Sequence, residues 1–157
     1  MKYIQLVFVT FFLLFATIAF SQTFNIAKKA YVGGMPGFLY NDIWGYTDDD
    51  NKEYAIIGSS QAINIYDVTD CANPILKMAH VDGSTVSWRD FKVYRNYAYA
   101  VCDGAPCTEG LQIINLDNYT VTQNTNDFQR AHNIHIDTIH ERLYVVGSNA
   151  VNGQITI

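Results

Sequence analysis

Four closely spaced side chains, His132, His135, Asp137 and His140, are of types that could bind a metal. Imidazole nitrogens and carboxylate oxygens are ligands that zinc takes in proteins. Strand geometry argues against a single site, because successive side chains of a β-strand point to opposite faces, so His132 and His135 would face opposite ways. His135 and Asp137 would share a face, but two ligands make a poor site. We therefore predict no metal site and no cofactor.

A second set of polar side chains lies at the start of three β-rich segments. Its members are Asp42, Arg89, Asp90, His132 and Asn133. If the segments belong to sheets arranged around a common axis, these side chains would ring one mouth of a central channel, where convergent polar groups can bind a ligand or partner. Alternatively, they hydrogen-bond the backbone between sheets, as buried polar groups usually do, with Arg89 and Asp90 paired to each other. Both interpretations remain open at this point.

Evidence for catalysis is weaker than evidence for binding. The sequence shows no serine–histidine–aspartate order, phosphate-binding loop or paired-carboxylate arrangement that stands out as a catalytic motif. The acidic run 48–51 offers the oxygen ligands that calcium prefers, but it lacks the glycine of an EF-hand loop, and a solvated turn is the stronger interpretation. An enzyme that uses Arg89, Asp90 and His132 at the channel mouth stays open as the alternative.

Three cysteines bear on the compartment in which the protein resides. Cys102 and Cys107 enclose the turn-forming sequence Asp-Gly-Ala-Pro. A disulfide between them is the expected pairing in an oxidising compartment. Cys71 is left over, and it is either buried or paired with a residue beyond this chain.

The elements that must position these residues repeat along the chain. Tyr54, Tyr99 and Tyr144 each open a β-rich run, at intervals of 45 residues. A period of about 40–50 residues is typical of one propeller blade, and several of the runs alternate apolar and polar residues as strands do. We therefore predict an all-β protein made of four-stranded antiparallel β-propeller blades, with repeats at approximately 40–83, 88–128 and 131–157.

These repeats amount to about two and a half blades. Because propellers typically close with four to eight blades, we expect the chain to be a fragment of a larger propeller. The sequence alone does not give the total number of blades.

Residues 1–21 have the pattern of a secretory signal peptide. Lys2 precedes an uncharged, mainly apolar run from Leu6 to Phe20, and a small-x-small cleavage pattern ends at Ser21. An uncleaved membrane anchor is the alternative, but the apolar run is short for a spanning helix. We expect residues 22–157 to form the exported domain, located outside the cell, on its surface or in the periplasm.

The charge of the chain excludes one class of partner. The net charge is −5 and no long basic run occurs, whereas a nucleic-acid binder would normally show a basic footprint. We expect contact with a membrane only through export or through an anchor that this sequence lacks.

Several segments resemble the choice-of-anchor B family, which comprises exported bacterial proteins built from LVIVD-type repeats. The segments are 41–46, 54–59, 88–93 and 131–137, together with Ile65–Asp70 followed by Asn73-Pro74, which is similar to the hallmark of that repeat. The resemblance covers roughly residues 30–157, and the Ser21–Gln22 junction is similar to signal peptides of Bacteroidetes. It implies a propeller on a longer polypeptide with a carboxy-terminal anchoring segment, and it implies no established catalytic activity.

The combined expectation is an exported or cell-surface repeat module that binds a protein or glycan ligand and has no catalytic activity. A propeller enzyme, hydrolase-like or lyase-like, is one alternative. A structural spacer in a larger secreted protein is the other.

Overall fold

The computed structural model describes residues 26–34, 39–83 and 85–150, and within them the protein consists of strands and connecting loops. These residues form ten strands in three antiparallel sheets and no helix, which confirms the predicted all-β class. The described part therefore has no helix long and apolar enough to cross a membrane. The predicted signal peptide and the last seven residues of the predicted third repeat, 151–157, lie outside the described residues.

Each sheet is built from strands that follow one another directly in the chain. Sheet 1 contains, in spatial order, β1 (Tyr40–Thr47), β2 (Glu53–Ser59), β3 (Ala62–Asp67) and β4 (Ile75–Val81). Sheet 2 contains β5 (Trp88–Tyr94), β6 (Tyr97–Asp103), β7 (Leu111–Asn115) and β8 (Val121–Asn124). Sheet 3 pairs β9 (Asn133–Asp137) with β10 (Arg142–Val146). The two complete repeats thus form four-stranded antiparallel sheets.

Alternating side chains bury one face of sheet 1 against sheet 2. In β2, Tyr54 and Ile56 are buried on this face, and in β3 so are Ile63 and Ile65. They share one core cluster with Phe91 of sheet 2, which has 0 % exposure. A strand with one packed face buries every second side chain. The alternation of apolar and polar residues in the sequence therefore places the apolar side chains in this core.

A second core lies between sheets 2 and 3. Val101 of β6 packs there with Ile134 of β9 and Val145 of β10, together with Phe128 and Ala131 from the connection between the sheets. The first strands of the sheets are neighbours, with β5 next to β1 on one side and β9 on the other. The starts of the three first strands, where the predicted site residues lie, are therefore brought into one region.

Strand pairing corrects the alignment of the repeats that the tyrosines indicate. Tyr54 lies opposite Tyr46 and Asp67, while Tyr97 lies opposite Tyr94 and Asn115. The position of Tyr54 in sheet 1 is thus held by Tyr97 in sheet 2, not by Tyr99. The first hairpin turns explain the difference, since they span residues 48–52, 95–96 and 138–141 and so differ in length.

Candidate functional site

Two of the predicted site residues, Asp42 and Asp90, join neighbouring sheets through the backbone. Asp42 is half-buried, and its Oδ2 accepts a hydrogen bond from the backbone N–H of Phe91 at 3.0 Å. Asp90 is buried, and its Oδ2 accepts one from the backbone N–H of Ile134 at 2.7 Å. In both cases a carboxylate on the first strand of one sheet accepts a hydrogen bond from a backbone N–H on the first strand of the next sheet. We call this pair of contacts the carboxylate latch.

The carboxylate of Asp90 also forms an ion pair. Asp90 Oδ1 lies 2.7 Å from the Nζ of Lys92, and that ammonium group lies 4.6 Å from the ring centre of Trp44 in sheet 1. Lys92 therefore both neutralises the carboxylate and contacts the preceding sheet. A hydrogen bond to a charged group is worth about 1.5–3 kcal/mol, so the latch is a structural feature of the interface.

Replacing Asp90 with alanine is expected to lower the free energy of unfolding by about 1.5–3 kcal/mol, because the amide of Ile134 loses its charged acceptor. Asp90→Asn keeps a carbonyl acceptor and should lose less. Urea unfolding followed by circular dichroism measures both. Asp49→Ala, in the exposed β1–β2 turn, is the matched control and should change little. Equal losses for Asp90→Ala and Asp49→Ala would show that the latch does not stabilise the interface.

Arg89 is buried in an ion pair with Asp82, and the predicted pairing of Arg89 with Asp90 is wrong. The guanidinium Nη2 donates to Asp82 Oδ1 at 2.9 Å, Nη1 lies 2.7 Å from Asp82 Oδ2, and Nε donates to the carbonyl of Ser59 at 2.8 Å. Arg89 and Asp90 have different partners because adjacent strand residues point to opposite faces. Arg89 faces sheet 1, whereas Asp90 faces sheet 3.

The Arg89–Asp82 ion pair is enclosed on all sides. The side chains of Arg89 and Asp82 are 0 % and 1 % exposed, and the buried Gln112 places its Nε2 at 3.5 Å from Asp82 Oδ2. Sequence reasoning missed Asp82, which follows β4 in the connection to sheet 2. The pair links three parts of the chain, namely the end of β2, the β4–β5 connection and β5.

His132 is one of the two predicted site residues that are exposed. Its side chain is 60 % exposed, and its Nδ1 lies 2.9 Å from Asp103 Oδ2. The ring of Trp88, itself 56 % exposed, has its centre 6.2 Å from that of His132. We call Trp88, Asp103 and His132 the rim cluster. Asn133 is also exposed, but it starts the outer face of sheet 3.

The rim cluster combines an aromatic surface with two polar groups. Asp103 follows Cys102 directly at the end of β6, and the backbone N–H of Gly104 donates to its Oδ1 at 2.7 Å. Sequence reasoning missed both Trp88 and Asp103 as site residues, although Trp88 belongs to the segment 88–93 singled out for its resemblance and Asp103 to the turn between the paired cysteines. The arrangement can bind a ligand that offers an apolar face and hydroxyl or amide groups.

The ionisation of Asp103 makes the rim cluster sensitive to acid. Burial raises the pKa of Asp103, but the hydrogen bonds from His132 and Gly104 and the charges of His132 and Arg130 outweigh that effect and hold the pKa below its ordinary value. A carboxylate whose pKa is lower in the folded state stabilises the fold above its unfolded pKa, which is about 3.9. That stabilisation is lost as the pH falls through the lower, folded value.

We therefore expect the stability of the protein to decrease below about pH 4 in part through Asp103. Asp103→Asn should remove this part, so that the difference in unfolding free energy between wild type and variant shrinks as the pH falls. Urea midpoints measured from pH 6 to pH 2 give this difference. A difference that is the same at both ends of the range contradicts a role for the ionised carboxylate.

Cys102 and Cys107 lie at disulfide distance, with their Cα atoms 6.0 Å apart. This is the pairing expected from the sequence, and it is consistent with an oxidising compartment. The two cysteines pack with Val86, which precedes β5, so the linked loop is anchored beside the rim cluster. Cys71 is free and exposed, which excludes the expected alternative of a buried thiol.

No match was found in comparisons with protein-family models, with curated proteins or with solved structures.

The four residues of the histidine cluster are engaged separately. His132 contacts Asp103, His140 contacts Asp137 at 2.6 Å, and His135 lies against Tyr144. Within residues 26–34, 39–83 and 85–150, no group of three or more histidine, cysteine or acidic side chains is placed to hold a metal ion.

The acidic run at 48–51 forms the β1–β2 turn. Asp48 Oδ1 accepts backbone N–H groups of Asp50 and Lys52, and its Oδ2 accepts the hydroxyl of Tyr54 at 3.1 Å. A polar cleft of about 670 Å³ lies beside this turn, between it and Arg95 of the β5–β6 turn. The oxygens of Asp48 are committed to the turn, as the interpretation of a solvated hairpin predicts.

Proposed function

We propose that this chain is an exported β-propeller-type module that binds a glycan through the rim cluster. The observation that carries the proposal is the exposed ring of Trp88 beside the His132–Asp103 pair. An indole ring offers a large, rigid apolar surface on which the face of a sugar ring can stack. The Asp103 carboxylate and the His132 imidazole can accept or donate hydrogen bonds to sugar hydroxyls at the edge of that surface.

Three features support the propeller arrangement. The sheets are four-stranded meanders, their first strands are neighbours, and the carboxylate latch repeats between successive sheets. In propellers, sheets of this kind stand around a central channel. The latch then explains why Asp42 and Asp90 lie at the start of the first strands, and it leaves ligand binding to the neighbouring exposed groups.

Export and family membership belong to the same proposal. Export is supported by the signal-peptide pattern of residues 1–21 and by the cysteine pair at disulfide distance. Membership of the choice-of-anchor B family is supported by the segments that resemble its repeats. A surface-exposed glycan receptor is consistent with both.

The test is to screen the purified protein on a glycan array and then titrate the best oligosaccharide by isothermal calorimetry. Trp88→Ala and His132→Ala should each weaken binding at least tenfold. Trp44→Phe is the matched control, because Trp44, on β1, contacts the ammonium group of Lys92 and is not part of the rim cluster, so its replacement should leave the affinity unchanged. Binding that survives Trp88→Ala, or an array without any bound glycan, contradicts the proposal.

A second candidate function rests on the His132–Asp103 contact alone. A carboxylate that orients an imidazole is the geometry of a general base, and a hydrolase would use it on a substrate bound at the rim. Turnover of a bound oligosaccharide or ester, lost in His132→Ala while the circular dichroism spectrum stays unchanged, would favour this enzyme over a binding module.

A further inference from the structure

Sheet 1 has an apolar face that points away from sheet 2. A groove of about 460 Å³ runs along it, lined mainly by Tyr40, Ile43, Ile57 and Tyr66 of the sheet together with Tyr31 of the segment 26–34 that precedes the sheet. Ile43 is 62 % exposed. Tyr31 and Tyr40 are exposed beside it, and neighbouring exposed apolar side chains of this kind can form an interaction site.

Strand pairing shows what covers this type of face elsewhere in the chain. The pairs Ile43–Ile57 in sheet 1 and Phe91–Ala100 in sheet 2 occupy the same register position. Phe91 and Ala100 are fully buried because sheet 1 packs against them. The corresponding pair in sheet 3, Ile134–Val145, is 1 % exposed at each residue because sheet 2 covers it. Only the copy of this face on sheet 1 lacks a covering sheet among the described residues.

The outer side of sheet 3 corresponds to the faces of sheets 1 and 2 that carry the latch carboxylates. His135 and Tyr144 lie opposite each other on its outer side, next to the pair formed by Asn133 and Val146. Asn133 immediately precedes Ile134, as Asp90 precedes Phe91, and it lies opposite Val146 as Asp90 lies opposite Val101. Asn133 therefore occupies the latch position, with a side-chain carbonyl in place of a carboxylate oxygen.

We propose that the outer face of sheet 3 docks onto the apolar face of sheet 1 of a second copy of this chain. The contact continues the series formed by sheets 1, 2 and 3, with Asn133 Oδ1 accepting the backbone N–H of Ile43 from the other copy, as Asp42 and Asp90 accept those of Phe91 and Ile134. The occupant is a second copy because the chain itself carries both halves of the interface. This inference is independent of the rim cluster and of glycan binding.

Such an interface is heterologous, because each copy contributes a different surface. Heterologous contacts form closed rings or open-ended chains. In an open assembly the first and the last copy each keep one unfilled face, so further copies can add and the mass should rise with protein concentration.

One substitution on each face separates this arrangement from other modes of association. Ile43→Lys places a charge in the groove of sheet 1, and Val146→Lys, at a residue that is 40 % exposed, places one on the outer face of sheet 3. Both positions are open to solvent in the single chain, so folding should be retained, which circular dichroism checks. Ile139→Lys adds the same charge on the β9–β10 turn and is the matched control.

Sedimentation velocity from 5 to 200 µM should show wild type and Ile139→Lys as concentration-dependent oligomers. Ile43→Lys and Val146→Lys should each be monomeric alone, and their equimolar mixture should give a dimer of twice the monomer mass that does not grow further. A monomeric wild type at 200 µM overturns the proposal. It is equally overturned if either lysine variant still associates with itself, since that requires face-to-face pairing of identical surfaces.

Asn133 provides a second, more specific measurement. Asn133→Asp restores the acidic residue found at the latch positions of sheets 1 and 2 and should tighten association several-fold, whereas Asn133→Ala should weaken it. Asn126→Asp, at an exposed loop position, controls for the added negative charge. Association that is unchanged in both Asn133 variants shows that the latch position takes no part in the contact.

Discussion

Phe91→Ala is expected to lower the free energy of unfolding by about 3–5 kcal/mol, the range measured when a fully buried phenylalanine is truncated. Phe91 has 0 % exposure and lies between sheets 1 and 2. A Cβ atom built on Gly58 would lie 2.8 Å from Cε2 of Phe91, so the ring packs directly on the backbone of β2. Removing the ring leaves a cavity that rigid strands on both sides cannot fill.

Urea unfolding monitored by circular dichroism measures this loss at low protein concentration. Phe91→Leu keeps part of the volume and should lose clearly less than Phe91→Ala. Ile139→Ala, at a residue that is 85 % exposed, should change the stability by less than about 0.5 kcal/mol. A loss below 1 kcal/mol for Phe91→Ala contradicts the placement of Phe91 in the core between the sheets.

The sheets were predictable from sequence because their physical cause is local. A strand with one packed face must alternate buried and open positions, and the runs beginning at Tyr54 and Ile63 do so. The alignment of the repeats was harder to predict from the sequence. Tyr97 and Tyr99 both fit the pattern of Tyr54, and only cross-strand pairing, set by turns of different length, shows that Tyr97 corresponds to it.

The candidate site was predictable in location but not in its contacts. Asp42, Asp90 and His132 do lie where neighbouring first strands begin. The partner of Arg89 was wrongly predicted, although the two-residue period of a strand already prevents Arg89 and Asp90 from facing the same side. The role of Asp82 depends on how two sheets pack, and no feature of the connection 82–87 marks it beforehand. Asp103 was not singled out for the same reason.

Arg89→Met is expected to lower the free energy of unfolding by about 3–5 kcal/mol, because it leaves the carboxylate of Asp82 buried without its charge partner. The side chains of both residues are almost completely inaccessible to water, so solvent cannot replace the guanidinium. The carbonyl of Ser59 loses its donor as well. Methionine has a similar length and is flexible enough to fill the space, so the loss reports on charge more than on volume.

The double variant Asp82→Leu with Arg89→Met separates the net contribution of the pair from the penalty of breaking it. Replacing a buried ion pair by apolar residues of similar volume is often neutral or stabilising, so the double variant should be more stable than Arg89→Met alone. The interaction energy from the double-mutant cycle then measures the coupling between β5 and the β4–β5 connection. If the double variant loses as much as the sum of the two single variants, Arg89 and Asp82 act independently, and the junction of sheets 1 and 2 depends on apolar packing and the carboxylate latch instead.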